Sequence, residues 1–201
     1  MFEGKYLDNK RNGYGKEYIN NDLKFEGEYL DGKRNGKGKD YDYDKLIFEG
    51  EYLNGERDGK GKEYYINGEL KFEGEYLNGK KNGKGQKYDY NGNLEFEGEY
   101  LNGKKWNGKA QENYNNKFIF EGEYINGNRI GKVKEYNNDG KLIFEGEYLN
   151  KEGIKKGKEY DIKNNLKFQG EYLYNKKWNG KGYYGNNNIV YELVNGCGKV
   201  K

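Results

Sequence analysis

The sequence predicts an all-β protein: an elongated, single-layer, twisted antiparallel β-meander built from tandem β-hairpin repeats. Three observations predict this fold: a five-residue motif recurs along the chain, apolar and charged side chains alternate within it, and the composition of the chain cannot supply an ordinary core. The motif is Phe-Glu-Gly-Glu-Tyr, with one substitution in the first copy and one in the last. It begins at Phe2, Phe25, Phe48, Phe72, Phe96, Phe120, Phe144 and Phe168. A fixed period of this length indicates a repeat architecture in which each unit packs on its neighbours.

The composition excludes a core made of aliphatic side chains. Hydrophobic residues make up 32% of the chain, and aromatic residues alone make up 17%, including 23 tyrosines. Ordinary globular domains hold nearer one half of apolar residues. The 33 glycines are spread through the repeats. We therefore expect aromatic rings, with glycine beside them, to form whatever core exists.

Each repeat reads as two short strands. In the fourth copy, Leu70, Phe72, Gly74 and Tyr76 alternate with charged residues, and this period of two is typical of a strand. Asn78-Gly79 then predicts a tight turn, because both residues tolerate positive φ.

The second strand is shorter and leads back into the next repeat. It covers Lys84 to Tyr88, and Asn91-Gly92-Asn93 predicts the return turn. No segment shows a helical period, so we expect almost no helix. The array occupies residues 1–182 as about eight repeats of 23–24 residues, and 183–201 reads as a degenerate capping hairpin.

Glycine within the strands is interpreted as a steric requirement. Glycine inside a strand costs stability by itself. A large ring can lie flat across a neighbouring strand only where that strand has no side chain. We call a glycine that lies beneath a ring in this way a floor glycine. We expect Gly74, Gly83 and Gly85 to be floor glycines for Phe72 and Tyr76.

These residues resemble a known family, the MORN (membrane occupation and recognition nexus) repeat. The resemblance rests on Phe72-Glu73-Gly74-Glu75-Tyr76, on Gly79 and on Gly83-Lys84-Gly85. It implies a twisted antiparallel meander with one hairpin per repeat. Such repeats are attached to lipid kinases, junction proteins, methyltransferases and cytoskeletal scaffolds, so the resemblance specifies architecture more closely than function.

The residue inventory argues against an enzyme. The chain has no His, Ser or Thr and a single cysteine, Cys197. Most acyl-transfer and general-base chemistry needs one of these groups. Each Gly-x-Gly precedes a strand, whereas a dinucleotide site needs a helix there. We expect no catalytic, cofactor-binding or metal-binding residue.

The net charge and the number of cysteines indicate which classes of partner and which cellular compartment to expect. The net charge of +3 gives little attraction to nucleic acid. A lone cysteine and the lack of a long apolar run favour a cytoplasmic protein, with membrane or cytoskeletal association left open. The open N-terminal strand edge predicts self-association into a homodimer.

Two surfaces are candidates for binding. The first is a strip of aromatic residues suited to a protein partner, although the same rings could simply form the core. The strip comprises Tyr29, Tyr52, Tyr76, Tyr100, Trp106, Tyr124, Tyr148, Tyr172 and Trp178.

The second surface is a row of basic hairpin turns that could face anionic phospholipid. Lysines on turns are also common as solubilising residues. The row comprises Lys33, Arg34, Lys80, Lys81, Lys104, Lys105, Lys176 and Lys177. The sequence thus favours a non-enzymatic scaffold for protein–protein interaction, acting through the aromatic face or end to end. The alternative is a peripheral membrane module.

Overall fold

The computed structural model describes residues 1–114, 117–149, 154–185 and 188–200. Strands account for 76% of the chain, and no helix occurs in the described residues. The predicted fold class, an antiparallel β-meander of tandem hairpins, is confirmed. The strands are β1 (Phe2–Leu7), β2 (Lys10–Ile19), β3 (Asp22–Leu30), β4 (Lys33–Asp42), β5 (Lys45–Leu53), β6 (Glu56–Tyr64), β7 (Leu70–Leu77), β8 (Lys80–Tyr88), β9 (Leu94–Leu101), β10 (Lys104–Tyr114), β11 (Lys117–Ile125), β12 (Asn128–Tyr136), β13 (Leu142–Tyr148), β14 (Lys155–Tyr160), β15 (Leu166–Leu173), β16 (Lys176–Tyr184), β17 (Asn188–Val194) and β18 (Cys197–Val200).

The chain divides into two compact units, Met1–Lys105 and Trp106–Lys201. The first holds β1 to β9, and the second holds nearly all of β10 and then β11 to β18. Within each unit every strand pairs antiparallel with the next strand along the chain. Residues 183–201 contain the end of β16 and the hairpin of β17 with β18. The capping role of this hairpin stays a prediction.

The turns between paired strands are tight, as Asn-Gly predicts. Asn54 and Gly55 have φ values of 55° and 97°, and Asn78 and Gly79 have 48° and 76°. Positive φ at both central residues is the type I′ geometry, whose twist matches that of the flanking strands. The turn therefore fixes the strand register and, with it, the face on which each side chain lies.

A row of glycines crosses the strands of the first unit. Gly27 pairs with Gly38, Gly38 with Gly50, Gly50 with Gly61, and Gly61 with Gly74. The rings of Phe25 and Phe48 each lie over two of these glycines. A Cβ built on Gly38 would lie 2.5 Å from the Phe25 ring. The expected glycine floor is therefore present in the structure.

One part of that expectation is wrong. Gly83 was expected to be a floor residue, but it has a φ of 88° and lies in a β-bulge between β7 and β8. The Glu75 carboxylate accepts a hydrogen bond from the Lys84 amide of this bulge at 3.0 Å. Only the second glycine of the pair, Gly85, lies beneath the Phe72 ring.

The core is a ladder of rings. Phe25 lies edge-on to Tyr29 of its own repeat, with ring centroids 5.5 Å apart, and to Tyr52 of the next repeat at 5.3 Å. Phe48 makes the same two contacts with Tyr52 and Tyr76. Edge-to-face pairs contribute about 0.5–1.5 kcal/mol beyond burial. Each phenylalanine thus joins two successive repeats. The fully buried members are Phe25, Phe48, Phe72, Phe96, Phe120 and Phe168.

Candidate functional site

The alternation of each strand gives the sheet two different faces. In β3, Phe25, Gly27 and Tyr29 point to one face, and Glu26 and Glu28 point to the other. We call the first the ring face and the second the polar face. The predicted site residues distribute between these faces and the turns.

The tyrosines proposed as a protein-binding strip form the core of the ring face. Tyr29, Tyr52, Tyr76, Tyr100 and Tyr172 are between 3% and 6% exposed. Their rings contact phenylalanines on both sides, which leaves little surface for a partner. Tyr124 and Tyr148 are half-buried. Their role as contact residues stays a prediction, and burial of the rings disfavours it.

The tyrosine hydroxyls are hydrogen-bond donors within this core. Tyr52 donates to Asp40 at 2.6 Å and Tyr76 donates to Glu63 at 2.8 Å. Burial raises the pKa of both phenols, and the adjacent carboxylates raise it further. Burial likewise raises the pKa of Tyr29 to about 12. All three phenols therefore remain protonated at physiological pH, and those of Tyr52 and Tyr76 keep donating their hydrogen bonds.

The Tyr100 hydroxyl is an exception to this pattern. It is buried and has no hydrogen-bond partner in the described structure. The position that holds Asp40 for Tyr52 is Lys87 for Tyr100, and Lys87 pairs with Glu95 instead. A base has replaced the acid that would have accepted this hydrogen bond. The Tyr29 hydroxyl also has no partner there, although Glu17 occupies its acid position.

The second basic residue of each turn also belongs to the ring face. The Arg34 guanidinium lies 3.9 Å from the Phe25 ring centroid and bonds to Glu17 and Asp40 at 2.7 and 2.8 Å. Lys81 lies over Phe72 in the same way. Because cation–π contacts and ion pairs occupy these groups, they are poorly placed to bind lipid. The two other members of this set are Lys105, over Phe96, and Lys177, over Phe168.

These cations and the carboxylates between them form a continuous series of ion pairs in the first unit, which we call the charge chain. Arg57 contacts Asp40 at 2.8 Å and Glu63 at 3.5 Å, and Glu63 contacts Lys81 at 2.9 Å. Burial is the largest influence on the pKa of Glu63 and acts to raise it, but the charge and hydrogen bond of Lys81, the Tyr76 hydrogen bond and the charge of Arg57 together lower it below its ordinary value. The charge chain begins with Arg11 and Glu17. It continues through Arg34 and Asp40 to Arg57.

The first basic residue of each turn is exposed instead. This group comprises Lys33, Lys80, Lys104 and Lys176. Lys33 pairs across the turn with Leu30, which is 52% exposed, and Lys80 pairs with Leu77, which is 50% exposed. The turns therefore combine free ammonium groups with exposed apolar side chains.

The two tryptophans lie within strands, Trp106 in β10 and Trp178 in β16, close to the turn that precedes each strand. The Trp106 carbonyl accepts from the Gly127 amide at 2.8 Å, and the Trp178 carbonyl accepts from the Gly196 amide at 2.9 Å. Both side chains are half-buried. Their backbone thus holds neighbouring turns together, and a binding role for their rings stays a prediction.

The polar face of the first unit carries a groove of about 990 Å³. It crosses β3 to β9, with Tyr14 of β2 at one end, and its floor is the backbone of the glycine row. Two rows of charged side chains line it, one on each side of the glycines. The outer row includes Lys37, Glu51, Lys60, Glu75 and Lys84.

The inner row has the same alternation. It includes Glu26, Lys39, Glu49, Lys62 and Glu73. Register places Lys37 opposite Glu51 and Lys39 opposite Glu49. Charges of opposite sign therefore alternate from strand to strand along the outer row, and along the inner row as far as Glu73, after which the neutral Gln86 follows. The aliphatic stems of these residues supply apolar surface between the charges.

The sequence contained a signal for the ring-face cations that we did not use. A two-residue turn pairs Leu30 with Lys33 and therefore Tyr29 with Arg34, so Arg34 must share the face of Tyr29. The groove had no comparable signal, because it depends on how the side chains of seven strands are arranged in space.

Comparison with protein-family models supports the predicted relationship. The model of the MORN repeat matches residues 2–23, 25–39, 48–69 and 72–94. No curated protein matches the chain at a significant level. In the part of the chain that the structure describes, no helix has the length and apolarity needed to cross a membrane.

Proposed function

This chain belongs to the MORN-repeat proteins, and from that premise we propose that it is a non-enzymatic scaffold that binds a segment of a protein partner. MORN repeats are known for protein and membrane interactions. The all-β scaffold of the family is not typically enzymatic. We propose the cytoplasm as its location.

The observation that carries this proposal is the groove on the polar face of the first unit. It crosses seven consecutive strands, which corresponds to about 29 Å at the usual strand spacing of about 4.8 Å. A partner segment lying along it would contact side chains from every strand. Because the ring face is closed by its own core, the polar face offers the larger surface to a partner.

Peptide selection and glycine amide shifts test this proposal. Binders are selected from a random peptide display library on the immobilised chain, and then titrated into ¹⁵N-labelled protein. We expect shifts at the groove-floor glycines Gly38, Gly61 and Gly85. The turn glycines Gly32 and Gly79 serve as the internal control. Failure to select any peptide, or shifts confined to the turns, would overturn the proposal.

The turns support a second candidate function, a peripheral membrane module. Exposed Lys33 and Lys80 lie beside exposed Leu30 and Leu77, a combination of charge and apolar surface that suits an anionic bilayer. Sedimentation with anionic vesicles across a salt series tests it. We expect the triple variant Lys33→Gln, Lys80→Gln, Lys104→Gln to lose pelleting if the turns bind lipid. Absence of pelleting at low salt removes this candidate.

Self-association through β1 is part of the scaffold proposal. Tyr29 contacts Phe25 and Phe2, whereas Tyr6 contacts Phe2 alone and is 58% exposed. A second copy docked on the edge of β1 would cover this ring. Light scattering over a concentration series should show dimers that Tyr6→Lys abolishes, and Tyr43→Lys is the control. A strict monomer contradicts the proposal.

A further inference from the structure

The carboxylates of the groove are already engaged within the sheet. In the outer row, Glu51 accepts from the Lys60 amide at 3.1 Å and Glu75 accepts from the Lys84 amide at 3.0 Å. In the inner row, Glu49 accepts from the Tyr64 hydroxyl at 2.6 Å. Each of these groups holds a bulge or a strand end in place. They are therefore committed to the fold.

The lysines of the outer row are not engaged in this way. Lys37, Lys60 and Lys84 are exposed, and none has a carboxylate within 4.0 Å of its ammonium group in the described residues. In the inner row Lys62 lies 3.5 Å from Glu73, whereas Lys39 has no carboxylate within 4.0 Å of its ammonium group in the described residues. In the outer row the reason is the bulge, because each outer-row glutamate turns to a backbone amide and away from the lysine paired with it. The lining as a whole holds seven glutamates and five lysines, so any attraction to an acidic segment is local to these three lysines and does not come from the net charge of the groove.

These three lysines are regularly spaced. They lie on β4, β6 and β8, so neighbours are two strands apart, or about 9.6 Å. A polyproline II segment has three residues per turn and rises about 3.1 Å per residue, so every third side chain returns to one face after about 9.3 Å. A β-strand returns to one face every second residue, after about 6.7 Å. An α-helix returns after seven residues, or about 10.5 Å. The polyproline II repeat fits best.

We propose that the groove binds an acidic segment of a partner protein in polyproline II conformation, with Asp or Glu at every third residue opposite Lys37, Lys60 and Lys84. This inference rests on the proposed binding function of the groove and specifies its occupant. The glutamates between the lysines reject a segment with carboxylates at every position, because such a segment would bring like charges together. Spacing, and not net charge alone, selects the partner.

Two labelled peptides of equal composition test the proposal. One consists of about four Glu-Pro-Pro repeats, and the other has the same residues with its glutamates at every second position. Fluorescence anisotropy against the full chain should show binding of the first peptide about tenfold tighter than the second. Affinity should fall steeply as salt rises, because the contacts are ionic and exposed.

A pair of triple variants identifies the cations. Lys37→Gln with Lys60→Gln and Lys84→Gln should weaken binding of the Glu-Pro-Pro peptide by about tenfold or more. The matched control changes the exposed turn residues Lys33, Lys80 and Lys104 to Gln and should bind as the wild type does. Circular dichroism of both variants confirms that the sheet is retained, since none of these ammonium groups is buried.

The outcomes separate this inference from the proposed function. Equal affinity for the two peptides, or equal behaviour of the two triple variants, overturns the acidic occupant. If selected neutral peptides still shift Gly38, Gly61 and Gly85, the groove remains a binding site and only the inference fails. If no peptide shifts those glycines, both fail. Tighter binding of inorganic polyphosphate than of the Glu-Pro-Pro peptide also overturns the inference, because it shows attraction to charge without recognition of a polypeptide.

Discussion

The two units differ in the residue that lies beneath a phenylalanine ring on the second strand of a hairpin. In Met1–Lys105 this residue is glycine for Phe25, Phe48 and Phe72, as at Gly38 and Gly61. In Trp106–Lys201 the equivalent residue of the first hairpin, β11 with β12, is Val133, which is 3% exposed. In the next hairpin of that unit the residue is again glycine, Gly157.

The substitution changes how neighbouring rings meet. In the first unit Phe48 contacts Tyr52 and Tyr76 with ring centroids 5.7 and 5.4 Å apart. In the second unit Phe120 contacts Tyr124 at 6.1 Å, and no contact with the Tyr148 ring occurs in the described structure. Phe120 is nevertheless only 1% exposed. The valine side chain buries the ring but separates it from the next repeat.

This difference shows what the floor glycines contribute. A side chain can fill the same volume, so burial alone does not require glycine. Glycine is needed for a ring to reach the tyrosine of the following repeat and so to interlock successive hairpins. All four segments that match the family model lie within residues 2–94, in the unit where this interlocking is regular and where the groove is found.

Truncating the rings should produce the largest effect. Phe48→Ala removes a fully buried ring with two aromatic neighbours, so we expect a loss of about 4 kcal/mol in the local free energy of opening. Phe120→Ala loses one aromatic contact fewer and should cost about 1 kcal/mol less. Hydrogen exchange resolved by hairpin measures both, because it does not require the whole chain to unfold in one step. Equal losses would show that the second ring contact contributes nothing.

Exchanging the floors should produce the next largest effect. A Cβ on Gly50 would lie 2.6 Å from the Lys60 carbonyl oxygen and 2.7 Å from the Phe48 ring, so Gly50→Val should destabilise its hairpin by about 2–3 kcal/mol. Val133→Gly loses a buried side chain but allows Phe120 to approach Tyr148, and the net cost should be about 1 kcal/mol. Lys62→Val, on the polar face of β6, is the control. If Gly50→Val costs no more than this control, the floor is not a steric requirement.

The sequence revealed the repeat, the strands and the turns because each depends on local chemistry. Phe72, Gly74 and Tyr76 alternate, and Asn78-Gly79 can adopt only a few conformations. The role of Gly83 was missed, because a bulge and a floor call for the same residue and only the pairing of β7 with β8 distinguishes them. The groove could not be predicted, since it depends on which carboxylates the bulges engage across seven strands.

The charge chain on the ring face should show a smaller difference between the units. Arg57 contacts two carboxylates and lies 3.8 Å from the Phe48 ring, whereas Lys155 of the second unit contacts Glu135 at 3.5 Å. We expect Arg57→Met to cost about 2 kcal/mol, since it leaves Asp40 and Glu63 with fewer partners. Lys155→Met should cost less than about 1 kcal/mol.

The same pair of variants tests whether the charge chain carries the effect of a removed cation from one hairpin to the next. Because Asp40 also contacts Arg34, which contacts Glu17 on β2, faster hydrogen exchange in Arg57→Met should spread as far as β2. In Lys155→Met the faster exchange should not pass beyond β12, the strand that holds Glu135. If faster hydrogen exchange stays equally local in both variants, the charge chain is only a set of separate ion pairs.

Acid should reveal the smallest difference between the units. Burial acts to raise the pKa of Glu17 and of Glu63, but Arg34 with Arg11 outweighs burial at Glu17, and Lys81 with Tyr76 and Arg57 outweighs it at Glu63, so both pKa values fall below the ordinary 4.5. Glu26 is lowered chiefly by the Tyr41 hydroxyl. In the second unit the pKa of Glu159 is lowered by Lys167 and Lys177 against burial, and that of Asp161 is lowered chiefly by its hydrogen bond from Asn165. A carboxylate whose pKa is lowered by folding stabilises the native state above pH 4.5, and this stability is lost as the pH falls through the lowered value.

Hydrogen exchange between pH 5 and 3, corrected for its intrinsic rate, should therefore show that stability falls more steeply with pH in the first unit. Glu63→Gln should reduce that slope, because it removes one of the titrating groups, whereas an unchanged slope would mean that Glu63 binds no additional proton when its hairpin opens.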